Sequence, residues 1–273
     1  MGEKAWPLTV FSKPWQKMSL AELAKFVKGL GLDGVELPVR PGYQVEPQNI
    51  AKGLPEAVKV FADNGVKIGS VAGNTDEPTI AACGECDVPI IRVCVGIDMS
   101  IGYMASEKKI RKGYDKLIPA LEKAGVAIGV QNHCDYCVGS AMGIMHLIEN
   151  YDPKQVCAVL DMAHCAVDGE PEVMAIDICW SHLALVNLKS AYWKRAGTDD
   201  AGDVTWRSFW TTGKEGITSW PTIVSELKAR GYDKDICLTA EYNDPDGGGH
   251  LQGDRAAKLA REDIQYVREL WAK

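Results

Sequence analysis

Leu238-Thr239-Ala240-Glu241-Tyr242-Asn243 is the stretch that decides the fold. A short apolar run ends there on a carboxylate, and a glycine-rich segment, Gly247-Gly-Gly-His250, follows closely. Seven strand-then-helix units precede it. An acidic side chain at the C-terminal tip of an eighth parallel strand is where a (β/α)8 barrel keeps its chemistry. Glu241 is therefore the first candidate for a catalytic residue.

The units count out as follows. Short runs rich in Val, Ile and Leu alternate with segments of helical period, the pattern of βαβ units and a parallel sheet. The first strand is Leu8–Phe11, and Ser19-Leu-Ala-Glu22 is a capping box opening a helix that Gly31 stops. The next strands are expected at 34–37, 66–71, 90–95, 126–130, 157–161 and 183–188, and helices at 50–64, 75–83, 106–123, 141–150, after Pro171, at 219–230 and at 255–271. Residues 190–216 are long, polar and rich in Trp, Gly and Asp, and read as a functional loop or lid. Eight units in a chain of 273 residues predict one (β/α)8 TIM barrel domain spanning 1–273. An open doubly wound sheet would need a glycine-rich dinucleotide turn after strand one, and Phe11-Ser-Lys-Pro-Trp15 is not one.

Composition narrows the partners. The formal charge is -7 and the basic residues are scattered, which argues against nucleic acid or an anionic membrane surface. Nine cysteines, an odd number and many inside apolar runs, suit reduced thiols in a cytoplasmic protein. Met1–Pro7 carries no apolar signal region and no run approaches a membrane span. A homo-oligomer is left open.

Placed side by side, the strand ends form a polar ring. It holds Glu36 and Arg40 from strand two, Gln131 and His133 from strand five, and Asp161 and His164 from strand six. Strand seven adds Asn187 and Lys189, and strand eight Glu241. Side chains two apart share a face, so Gln131 and His133 point the same way, as do Asn187 and Lys189. Oxygen donors from Gln131, Asp161, Asn187 and Glu241 would suit a hard divalent cation, Mn²⁺ or Mg²⁺. Trp15 after strand one and Trp193, Trp206 and Trp210 in the strand-seven loop offer flat aromatic faces to a ligand, or else pack the loop onto the barrel. His146, on a helix face, is expected to be structural, His182 to lie at the wrong end of the barrel, and His250 to be a mobile loop histidine rather than a ligand. Gly213-Lys-Glu-Gly216 is far from a phosphate cradle.

Gly34-Val-Glu-Leu37, Asn132-His133, Leu160-Asp-Met-Ala-His164 with Gly169, Asn187-Leu-Lys189, Gly213-Lys-Glu-Gly216 and Ala240-Glu-Tyr242 occur in order across the whole chain. Together they resemble the xylose isomerase-like TIM barrels, the sugar phosphate isomerase/epimerase superfamily that also contains abasic-site endonucleases. The resemblance implies one divalent metal held by Glu, Asp, His and Glu on strands five to eight, with the two Glu residues moving protons beside a carbonyl. Asp161 and Glu241 match that pattern; Gln131 and Asn187 depart from it. The departures leave two formal negative charges on the ligands, which weakens metal binding, and one general base instead of two. The expectation is a sugar isomerase or epimerase in which Glu241 abstracts a proton. Lys189 and His133 would stabilise the enolate, while His164, Glu36, Arg40, Trp15 and Trp193 would hold the carbohydrate. The alternatives are a metal-assisted lyase on an oxidised sugar, a non-catalytic carbohydrate-binding barrel and, disfavoured by only five scattered histidines, an endonuclease.

Overall fold

Strands covered on one side by helices and on the other by a barrel interior must be apolar along their whole length. The run 156–161 meets that demand, with every position buried. The computed structural model describes residues 6–247 and 249–273; Met1–Ala5 and Gly248 of the glycine-rich loop lie outside the described residues. Eight parallel strands close on one another: β1 (Leu8–Phe11), β2 (Gly34–Pro38), β3 (Lys67–Ala72), β4 (Ile90–Cys94), β5 (Ala127–Gln131), β6 (Val156–Asp161), β7 (Leu183–Leu188) and, after an intervening hairpin, β10 (Ile236–Leu238). Their order around the barrel is β1-β10-β7-β6-β5-β4-β3-β2, so the last strand closes against the first. Leu8 pairs with Ile236 and Val10 with Leu238 at that seam.

An outer ring of helices follows the strands: α1 (Leu20–Gly29), α2 (Ile50–Asp63), α3 (Glu77–Glu85), α4 (Tyr103–Ala124), α5 (Ala141–Ile148), α6 (Met162–Val167), α7 (Glu172–Cys179), α8 (Trp220–Ala229) and α9 (Gly253–Trp271). Their sequences set both ends and faces. Ser19 accepts a hydrogen bond from the Glu22 backbone while the Glu22 carboxylate accepts from Ser19, so the capping box is formed. Gly31, with φ 73°, then turns the chain out of α1 in a conformation that costs glycine little. On α2, Ile50, Leu54, Ala57 and Phe61 are buried at helical spacing, the stripe that seats a helix on the sheet.

Two features differ from expectation. Residues 190–216, expected as a loop or lid, contain an antiparallel hairpin of β8 (Ser190–Thr198) and β9 (Val204–Thr211). Its base is anchored by a small apolar cluster of Cys134, Ala163, Val167, Ala191 and Trp210, while Trp206 at its far end is 60% exposed. The tryptophans and glycines masked a strand period that pairing with a neighbour makes stable. Helix α6, unforeseen, starts immediately after β6 because the Asp161 carboxylate accepts from the backbones of Ala163 (3.1 Å) and His164 (3.4 Å) and caps it.

Inside the barrel, Phe11, Ala72, Val159, Leu185 and Cys237 form one apolar layer, with Ile90 against it. Above that layer lies a buried ion pair. Arg92 donates to Glu36 through Nε (3.1 Å) and Nη2 (2.6 Å), and its guanidinium rests over the Phe11 ring at 4.5 Å. Two residues beyond Val159 and Leu185 of that layer lie Asp161 and Asn187, Gly129 on β5 leads in the same way to Gln131, and Glu241 lies four residues beyond Cys237. Period-two alternation therefore delivers these side chains to the C-terminal mouth.

Candidate active site

Glu241 sits three residues past the last hydrogen-bonded residue of β10, directly after Ala240, which holds a left-handed φ of 51°. A non-glycine residue in that region stores roughly 1–2 kcal/mol of strain, a cost expected where the backbone must place a particular side chain. Tyr242 is tethered in turn, its hydroxyl donating to Asp263 on α9 at 2.8 Å. The Glu241 carboxylate lies between two ammonium groups. Oε2 accepts from Lys189 at 2.9 Å, and Oε1 is hydrogen-bonded to Lys13. Burial opposes charge on Glu241, yet the two lysines outweigh it and hold the carboxyl well below its usual range. Burial likewise opposes charge on Lys189, but Glu241 and Asp161 keep its ammonium above the usual lysine value.

Lys189 is the hub of the site. Its Nζ lies 3.5 Å from His164 Nε2 and 3.9 Å above the Trp210 ring. His164 is buried, packed between His133 (ring centroids 4.1 Å apart) and Trp210 (4.8 Å). The Cys134 backbone donates to His164 Nδ1 at 3.1 Å, so in the neutral ring the proton resides on Nε2, facing Lys189. Burial, then Lys189 and His133, pushes His164 well below the ordinary histidine value, which keeps the ring neutral. The site thus offers one N–H and one ammonium side by side, a pair suited to developing negative charge on oxygen.

Asp161 is fully committed. Its Oδ1 caps α6, and its Oδ2 accepts from Gln131 Nε2 at 2.9 Å. Asn132 clasps the same residue from β5, accepting from the Asp161 backbone at 2.7 Å and donating to its carbonyl at 3.0 Å. Burial pushes the Asp161 carboxyl upward. Across from it, Gln131 Oε1 and both polar atoms of Asn187 are buried without a hydrogen-bond partner. Orphaned polar atoms of this kind are rare in folded proteins and mark where something polar must enter.

Several expectations need correction. Glu36, expected to meet substrate, is 0% exposed at its side chain and is taken up by Arg92 and by Ser70 Oγ at 3.2 Å. Trp15 borders a cleft of about 710 Å³ beside Lys13 but is itself 1% exposed. Its ring packs on Phe26 and its Nε1 donates to the Gly253 carbonyl, so neither face is free for a sugar. Trp193 stands half exposed on the hairpin, donating to the Val167 carbonyl at 3.0 Å, whereas Trp210 is the tryptophan against Lys189 and His164. Arg40 is half-buried beside the Phe11 ring at 5.6 Å. Lys13 and Arg92 were missed, although Lys13 follows the inward-facing Phe11 by two residues in the turn after β1 and Arg92 follows Ile90 by two along β4. His146 and His182 bond to Glu107 and to the Tyr151 carbonyl, structural roles at a distance from the mouth.

The expected cation set, Asp161, Glu241, Gln131 and Asn187, does not fit a hard divalent ion in this arrangement. Both oxygens of both carboxylates are already engaged, two of them by ammonium groups. At an effective dielectric of about 20, a doubly charged ion about 4.5 Å from one ammonium is repelled by roughly 7 kcal/mol. Among the described residues, His133, Cys134 and His164 form a group able to offer three metal ligands, their atoms within 4.8 Å of one another. Imidazole and thiolate suit a softer ion, and such an ion must first displace the proton of a Cys134 thiol that burial pushes up to about 12. All nine cysteines are free.

A second cavity of about 840 Å³ opens at the opposite end of the barrel, against Lys67, Ala127, Cys157 and Asp235. It lies at the end of a barrel that serves stability, and Lys67 and Asp235 there are already paired at 2.7 Å. The converging charges, rather than the volume, mark the site. Among the described residues no helix is long and apolar enough to cross a membrane.

A family model described as xylose isomerase-like TIM barrel matches residues 24–270. No curated protein matches the chain significantly in sequence. Solved structures match across nearly the whole chain at low identity. A D-psicose 3-epimerase from Clostridium cellulolyticum H10, solved with D-tagatose, is 14% identical with a TM-score of 0.73, over 97% of this chain and 99% of that one. A 3-keto-D-glucoside 4-epimerase from E. coli is 12% identical with a TM-score of 0.71, over 97% and 100%. A xylose isomerase-like TIM barrel protein from Mycobacterium smegmatis in complex with magnesium is 15% identical with a TM-score of 0.66, over 98% and 97%. At such identities the likeness is one of fold.

Proposed function

Since this chain belongs to the xylose isomerase-like TIM barrel family, we propose that it is a sugar isomerase or epimerase that moves a proton beside a carbonyl. The observation that carries this reading is the half-buried, ionised Glu241 bonded to the Lys189 ammonium, which itself lies 3.5 Å from His164 Nε2. Several solved structures of the same fold are sugar 3- or 4-epimerases, which supports a small carbohydrate as the substrate class. At rest Glu241 is a weak base, because two ammoniums stabilise its charge. A substrate carbonyl oxygen that takes the Lys189 proton donor for itself removes one of those partners, and the basicity of Glu241 rises as the substrate binds. Glu241 then accepts the proton from the carbon beside the carbonyl. The enolate oxygen is held by Lys189 Nζ and His164 Nε2–H, with His133 stacked behind the ring. Gln131 Oε1 and the Asn187 amide take substrate hydroxyls, which satisfies their orphaned atoms. Arg40, beside the Phe11 ring, and Trp193, half exposed on the hairpin, are the proposed further contacts with the carbohydrate. With both carboxylates engaged, the roles of Glu241, Lys189 and His164 in this reading call on no Mn²⁺ or Mg²⁺.

Gln131, an amide where two-base chemistry needs a carboxylate, favours a second reading. A single base that forms an enolate also serves a lyase, which expels a leaving group from the next carbon instead of reprotonating the opposite face.

Solvent-deuterium incorporation into a panel of ketoses and keto-glycosides tests the proposal. The wild type should exchange one carbon-bound hydrogen or eliminate a group. Glu241→Gln should lose about 10²–10⁴ in rate while still binding the same sugar. Binding without exchange or elimination by the wild type would make the barrel a carbohydrate-binding protein and end the enzyme reading.

A further inference from the structure

We propose that Lys13 and Lys189 together take the place of a divalent cation, so that this barrel works without a metal at Asp161 and Glu241. The charge count is the first ground. The site holds two carboxylates, Asp161 and Glu241, and two ammonium groups, both bonded to Glu241, while the other two donors, Gln131 and Asn187, are neutral amides. The centre is balanced without an ion, whereas an added divalent cation would leave it with two uncompensated positive charges.

Position is the second ground. Lys189 is buried to 4% exposure at its side chain and bonds directly to the Glu241 oxygen that a metal would need. The same Nζ lies over the Trp210 face at 3.9 Å, so its location is defined by the carboxylate on one side and the indole on another. Lys13 reaches the other Glu241 oxygen from the turn Lys13–Trp15 after β1. That turn is carried to β10 by the barrel seam, so the contact belongs to the closed fold. The two departures from the metal pattern, Gln131 and Asn187, thus occur together with two lysines that supply what they removed. An ammonium can donate a hydrogen bond to an enolate oxygen and carries full charge, which covers the electrostatic role of a cation in this chemistry.

This inference deepens the proposed function, but its decisive measurement is a binding one that does not need activity. Purified protein is treated with chelator, exchanged into metal-free buffer and titrated with Mn²⁺, and the resonance signal of free aqueous Mn²⁺ is followed. Wild type should leave the signal of added Mn²⁺ unchanged. Lys13→Met/Lys189→Met exposes both carboxylates and should bind Mn²⁺ at least about tenfold more tightly than wild type; a further Glu241→Gln should abolish that gain. Lys189→Met alone serves as the readout should the double variant not fold, judged by circular dichroism. Saturable binding by the wild type that is lost in Asp161→Asn overturns the proposal, as does a folded lysine variant that gains no affinity. If no sugar is turned over by any form, the enzyme reading fails while the Mn²⁺ titration still decides this one.

Discussion

Removing the guanidinium of Arg92 should be the most damaging single change near the site, and the reason is electrostatic. Arg92 gives Glu36 two charge-assisted hydrogen bonds, at 3.1 and 2.6 Å, and the pair is buried at 6% and 0% side-chain exposure. In Arg92→Met the Glu36 carboxylate keeps only Ser70 Oγ at 3.2 Å. A buried charge stripped of its partner costs about 3–5 kcal/mol. For a chain of this size, at about 2–4 °C per kcal/mol, the melting temperature should fall by roughly 6–20 °C. Glu36→Gln/Arg92→Met removes both charges and should recover at least about half of the loss, because replacing a buried pair by neutral groups is often close to neutral. Thermal denaturation at neutral pH followed by circular dichroism measures all three proteins. A loss under about 1 kcal/mol in Arg92→Met, or a double variant no better than the single, refutes the claim that this pair organises the barrel interior. A folded Glu36→Gln of normal stability that raises KM alone would return Glu36 to the substrate.

Asp263 links stability to pH through α9. Burial pushes its carboxyl from 3.8 up to about 7, while Gly213 N and Tyr242 Oη donate to it. A raised folded pKa means its stabilising contribution is present below about pH 4 and lost as pH rises to about 7. Over that window the wild type should lose roughly 4 kcal/mol relative to Asp263→Asn, at about 1.4 kcal/mol for each pKa unit; denaturant titrations at several pH values that show a constant difference would contradict this. Gly216→Ala should destabilise by about 1–3 kcal/mol or more. A Cβ there would come within 2.1 Å of Ser190 Oγ and 2.7 Å of the Ala191 backbone nitrogen, where Ile217 N donates to the Ala191 carbonyl. A melting temperature equal to that of the wild type would show that the hairpin base can yield.

The alternation of apolar and polar residues along each strand, with period two, already determined that Gln131, Asp161, Asn187, Lys189 and Glu241 gather at one end of a barrel. Strand count and the Ser19 capping box were legible for the same reason: each is written in residues close together in the chain. The hairpin of β8 and β9 was not legible, because its strands are defined by pairing with each other and its base by Cys134 and Ala163 from elsewhere. Partners across the barrel were not legible either. Parity tells which side chains face the axis, but closure and register decide which two of them meet. Glu36 and Arg92 are 56 residues apart, and Lys13 and Glu241 are 228 apart. Only the seam between β1 and β10 brings Lys13 to Glu241, and so only the tertiary structure decided that this carboxylate is held by ammonium groups.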